Sequence, residues 1–169
     1  MIAGSARATT MREGAYRIAA PNSRPRNIMV VALEAGAARL LAHLAEGVWH
    51  RVSFRSSVWL QDIPNPQSGT LDKWWDVVAG HAEDLVSEIA ASDLVIMVTT
   101  AGDPTTGASV IGEACVEHAV KTSGIVIRGS MASPDVLSQS LMELRPWTQT
   151  LSVIGESDMI VDMIHALGA

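Results

Sequence analysis

Cysteine, tyrosine and phenylalanine occur once each in the 169 residues, and only 18% of the chain is charged. One thiol excludes an intrachain disulfide framework and any cysteine-rich metal site. The five histidines, His43, His50, His81, His118 and His165, are scattered without an H-E-x-x-H spacing, so no metal site is expected. There is no G-x-x-x-x-G-K-[ST] loop, no G-x-G-x-x-G turn and no G-x-S-x-G elbow, which removes the commonest signatures of nucleotide hydrolysis, dinucleotide binding and serine catalysis. No apolar run approaches the roughly 18 residues of a membrane span. A net charge of −6 leaves no basic surface of the kind that nucleic acids require. What remains is length enough for one domain, a 48% hydrophobic content and five tryptophans. The expectation is a cytoplasmic protein with a small-molecule ligand and neither nucleic acid nor membrane as partner.

Charge is unevenly spread. Residues 1–27 carry Arg7, Arg12, Arg17, Arg24 and Arg26 against Glu13, a net of +4, whereas residues 28–169 carry a net of −10. The leader lacks the apolar core of a secretory signal. An unpacked tail, a true start at Met11 or Met29, and a basic arm lying on an acidic body all accommodate it. The opposed charges favour the arm, followed by one domain over 28–169.

From Asn27 onward strands alternate with helices. Ile28–Leu33 is an apolar run of strand length, of the kind buried on both faces. Glu34–Glu46 reads as a helix stopped by Gly47, Arg51–Arg55 as a weaker strand, and Ser56–Thr70 as a Pro- and Gly-containing loop. Leu71–Ala91 shows an amphipathic helical stripe, with Thr70 as its N-cap. Then come the strand Leu94–Val98, the loop Thr99–Gly107, a helix Ala108–Lys121, and a short strand Ile125–Ile127. Ser133-Pro134-Asp135 opens a fourth helix that Pro146 closes, and the strand Leu151–Ile154 and the helix Ser157–Leu167 finish the chain. Five such strands predict a flavodoxin-like, doubly wound parallel sheet of order 2-1-3-4-5 in three α/β/α layers.

In an open α/β sheet, ligands lie beyond the carboxyl ends of the strands, near the point where strand order reverses. The loop after strand three is the richest segment there. Thr99, Thr100, Gly102, Asp103, Thr105 and Thr106 offer hydroxyls and backbone N–H groups at a helix start, a set able to hold a phosphate or a polar ring edge. A turn-rich connecting loop of no special function has the same composition. After strand one, Gly36 alone relaxes the backbone, and after strand two Trp59 offers an indole that could stack on a planar ring. Trp75 lies on a core stripe, Trp74 at its margin suits an interface or a ligand, and Cys115 reads as a buried structural thiol.

Ala91-Ser92-Asp93-Leu94-Val95-Ile96-Met97-Val98-Thr99-Thr100, the loop Ala101–Ala108 and the late Leu144-Arg145 pair follow one another in a familiar order. From Val52 to Leu151 this order resembles the NADPH-dependent FMN reductases of the flavodoxin-like superfamily. The resemblance implies FMN, with its ring near Thr99–Asp103 under Trp59, its phosphate on the loop after Leu33, and hydride supplied by a nicotinamide. Two places depart from the family's pattern. Leu33-Glu34-Ala35-Gly36-Ala37-Ala38-Arg39 stands where the family has G-S-x-R, and no P-x-Y-N-G follows strand three. These departures motivate a second reading, a non-catalytic or ligand-sensing protein that has lost the phosphate loop and acts through its dimer surface. A polar small-molecule enzyme unrelated to flavin is the third. A two-fold homodimer is expected in either of the first two, with Trp74, the Trp59 loop and the basic arm at its contact.

Overall fold

Ile28–Ala32 (β1) is buried at every position because strands pair with it on both edges and helices cover both its faces. The computed structural model describes residues 25–61, 84–129, 132–155 and 158–166. After β1 come α1 (Ala35–Leu44), β2 (Val52–Ser56), a short 3-10 turn (Val58–Gln61) and a helix at residues 84–90 (α2). The chain continues through β3 (Leu94–Thr100), α3 (Gly107–Glu117), β4 (Lys121–Ile127), α4 (Pro134–Leu144), β5 (Thr150–Ile154) and α5 (Asp158–Ala166). The basic leader up to residue 24, Thr70, Trp74, Trp75 and His81 lie outside the described residues.

All strand pairs are parallel and the order is β2-β1-β3-β4-β5, the flavodoxin-like arrangement expected from the alternation. Alternate side chains of the central strands point to opposite faces, so the core divides in two. On one face Met29, Val31, Val95 and Met97 pack with Leu85 and Ile89 of α2, Ile111 and Cys115 of α3, and Leu144 of α4. On the other, Ile28, Val30, Ile96 and Val98 pack with Ala37 and Leu41 of α1 and with Ile160 and Ile164 of α5. Among the described residues, fourteen apolar side chains are buried on the first face and twelve on the second, the dominant favourable contribution to folding.

The edges are tied by side chains. Arg55 on β2 makes a two-pronged pair with Glu88 of α2, at 2.5 Å for both contacts. Trp49 donates to the Leu44 carbonyl at 2.7 Å, meets Phe54 edge-on and stacks on His165 of α5. Trp147 lies across Gly112 of α3, where an added Cβ would come within 2.8 Å of its own Cβ.

Boundaries differ from the periodicity: β3 runs on through Thr99 and Thr100, α1 ends at Leu44, and α3 is cut short. The helix expected to reach Lys121 ends at Glu117, so Glu117 and Lys121 do not share a helix face, and Lys121–Gly124 instead begin β4. Ala119 adopts a left-handed φ of 55° and the Val120 N–H returns to the Cys115 carbonyl, which closes the helix. The early part of β4 hides from a hydropathy reading because its buried positions are polar. Thr122 accepts from the Gln149 N–H and Ser123 from the Thr150 hydroxyl, so both hydroxyls are satisfied inside the sheet.

Candidate functional site

β1 sends its chain to α1 on one face of the sheet, and β3 sends its chain to α3 on the other. The chain thus parts between two adjacent strands and leaves a crevice at their carboxyl ends, the switch point of the fold.

Glu34 stands on the β1 side. It is the N-cap of α1, in extended conformation, and is 4% exposed. Its carboxylate turns back on the helix. Oε1 accepts from the Ala37 N–H at 2.6 Å, and Oε2 accepts from the Gly36 N–H. Oε1 also accepts from the Thr100 hydroxyl of β3 at 3.0 Å, so the carboxylate spans the crevice. Gly36 is needed for this fold-back. A Cβ there would lie 2.9 Å from Oε2 and 3.2 Å from Oε1. The α1 N-terminus, with its partial positive charge and free N–H groups, is therefore occupied by an anion belonging to the chain itself.

Asp103 stands on the β3 side, exposed, its backbone N–H donating to the Thr100 carbonyl at 3.1 Å. Partial burial pushes the Asp103 carboxyl above its ordinary value, and the negative charge of Glu34 pushes it further, while Arg39 on α1 acts in the opposite direction. Two carboxylates, one hydroxyl and one guanidinium thus share the switch point. Acceptors dominate this set, suited to ligand hydroxyl or amino groups. A carboxyl that holds its proton more tightly than usual can also exchange it with a bound molecule.

The structure divides the residues predicted for this site. Thr100 bonds to Glu34 at the crevice, and Asp103 lies close enough to feel its charge. Thr99 is fully buried, and its hydroxyl reaches only the Thr100 carbonyl. Gly102, at a φ of 92°, donates its N–H to Ser140 of α4, and Thr105 donates to Glu143 of α4 at 2.8 Å. These two fasten the loop to α4 rather than face β1. Thr106 is exposed at the start of α3 without a capping side-chain bond. Trp59 is half-buried against the core cluster of α2, α3 and α4. Gly36 serves the Glu34 carboxylate. The residues that the loop-centred reading passed over are Glu34 as an anchor and Arg39 as a positive charge acting on Asp103.

Elsewhere, burial pushes the Cys115 thiol up to about 11, in keeping with a structural role. Among the described residues no cluster of His, Cys, Asp and Glu could hold a metal ion, and no helix is long and apolar enough to cross a membrane. A groove of about 760 Å³ opens at the other end of the sheet, lined by Glu113, Val116, Glu117 and Trp147 among others.

No protein-family model matches the chain, and no curated protein matches it. Among solved structures it is similar to a 2-deoxyribosyltransferase from the psychrotolerant bacterium Bacillus psychrosaccharolyticus, at 11% identity and a TM-score of 0.40, over 78% of this chain and 89% of that one. The resemblance to the NADPH-dependent FMN reductases is overturned. No family model or curated relative supports it, and the helix mouth that would take the flavin phosphate holds the Glu34 carboxylate.

Proposed function

We propose that this chain binds a small hydroxyl-bearing molecule, of the sugar or nucleoside class, in the crevice between β1 and β3, and that Asp103 exchanges a proton with it. The observation that carries this reading is the pair of carboxylates at the switch point, Glu34 and Asp103, close enough for the charge of one to act on the other, with Thr100 bonded to Glu34 through its hydroxyl and to the Asp103 N–H through its carbonyl. A vicinal diol can donate to two carboxylate oxygens at once, and such charge-assisted bonds are the strong ones. Glu34 is pre-positioned by three donors, so it needs no reordering when a ligand arrives. Asp103 is exposed, as a group that must meet a ligand and pass it a proton needs to be.

The test is an amide chemical-shift titration with ribose, 2-deoxyribose and the common nucleosides. Shifts concentrated at Glu34, Thr100 and Asp103, and abolished by Asp103→Asn, are the expected result. A ligand whose shifts fall instead on Val116, Trp147 and Gln149 would place the binding site in the opposite groove and overturn the reading.

A further inference from the structure

Glu34 has a second consequence for the same crevice, and it rests on the reading just given. A helix N-terminus that opens onto a switch point holds phosphate because its N–H groups are unpaired and its dipole favours negative charge. Here two of those N–H groups are already paired. Gly36 and Ala37 donate to the two oxygens of one carboxylate, Thr100 donates to the same group, and no buried side-chain oxygen or nitrogen among the described residues lacks a partner. The space is filled as well as the charge: the Glu34 oxygens lie where a Cβ on Gly36 would touch them. A ligand phosphate would have to displace a buried, hydrogen-bonded carboxylate, or lie beside it and beside Asp103.

We propose that Glu34 is a specificity-determining residue, an internal stand-in for phosphate that makes the crevice accept an unphosphorylated sugar or nucleoside and refuse its phosphate ester. Gly36 is the positioning residue that lets the carboxylate turn back. Arg39 does not reverse the balance, because the two carboxylates outnumber it.

Inorganic phosphate is the probe, titrated into the isotopically labelled full chain while the Gly36 and Ala37 amides are followed. Wild-type protein should show no saturable shift at those amides in the millimolar range. Glu34→Ser, which retains an N-capping oxygen, should bind phosphate at least about tenfold more tightly, with both amides shifting. Glu34→Asn, an equally good cap, provides the same reading should the serine variant fail to fold. Saturable phosphate binding at Gly36 and Ala37 in wild type, or a folded variant as indifferent to phosphate as wild type, overturns the proposal. Because no sugar or nucleoside enters the measurement, its failure is distinct from failure of the proposed function, which the nucleoside titration reads by itself.

Discussion

α1 and α3 begin within the same crevice, each straight after a central strand, yet their mouths are built in opposite ways. The mouth of α1 is glycine-relaxed and filled by a buried carboxylate from its own N-cap. The mouth of α3 starts at an exposed Thr106 that makes no capping bond, and its glycine, Gly107, serves packing: an added Cβ would lie 2.6 Å from the Ser57 hydroxyl and 3.2 Å from Leu60. Two helix starts of similar composition therefore do different work. One has its electrostatics satisfied internally and its geometry fixed. The other is fixed by packing and by bonds from its loop to α4, and no side chain caps it. Composition near a strand end does not distinguish the two; the position of a single Glu does.

Removing that Glu should separate the two mouths most sharply. Glu34→Ala strands two backbone donors and the Thr100 hydroxyl in a partly buried place, so a loss of about 3 kcal/mol is expected by chemical denaturation. Thr106→Ala at the other mouth should stay within about 0.5 kcal/mol, since no bond is lost. A similar cost at both positions would break the comparison. Gly107→Ala tests the packing side: displacing Ser57 disturbs its hydroxyl bond to the Ala32 carbonyl, and about 2 kcal/mol should be lost in the same assay. At the far end of α3, Ala119→Gly removes a left-handed alanine and should add about 1 kcal/mol.

The smallest effect is carried by pH. An acid whose folded pKa lies above its unfolded one binds its proton more tightly in the native state. It favours the fold at acid pH and works against it as pH rises through its own titration. Asp103→Asn should therefore raise the melting temperature modestly near neutrality, and the gain should vanish as pH falls below the ordinary carboxylate range. In Glu34→Ser the Asp103 carboxyl should titrate closer to its ordinary value, followed by its side-chain carbon shift, because a like charge is gone.

The sheet was legible because buried parallel strands are continuous apolar runs, as in Ile28–Leu33 and Leu94–Val98, and because Ser133-Pro134-Asp135 is a helix start with a local mechanism. Its Ser133 caps Val136 as the residues imply. The start of β4 was illegible for the converse reason: Lys121-Thr122-Ser123-Gly124 has no hydrophobic signature, and its burial depends on hydroxyl bonds to a strand edge 27 residues away. The site was half legible. Glu34 stood out as a charge where a phosphate loop would be, but its folding back onto Gly36 and Ala37 depends on a glutamate acting where Ser, Thr, Asp or Asn usually caps. Thr105 and Gly102 also bond to α4 through contacts 38 residues away, which nothing in their local sequence signals.

The strand order also sets a timetable for synthesis. Among the described residues β1 leaves the ribosome ahead of the other strands and ends in the interior of the sheet, between β2 and β3, and β3 begins 66 residues later, where Ile28 meets Leu94. At translation rates of about 5–20 residues per second, β1 waits on the order of 3–13 s for that edge to be covered. During this interval five consecutive apolar residues, Ile28–Ala32, offer an unpaired backbone edge to any other nascent chain. Yield of soluble protein should thus depend on how fast the segment between β1 and β3 is translated and on chaperones that shield the first strand, although the finished domain holds that strand out of reach.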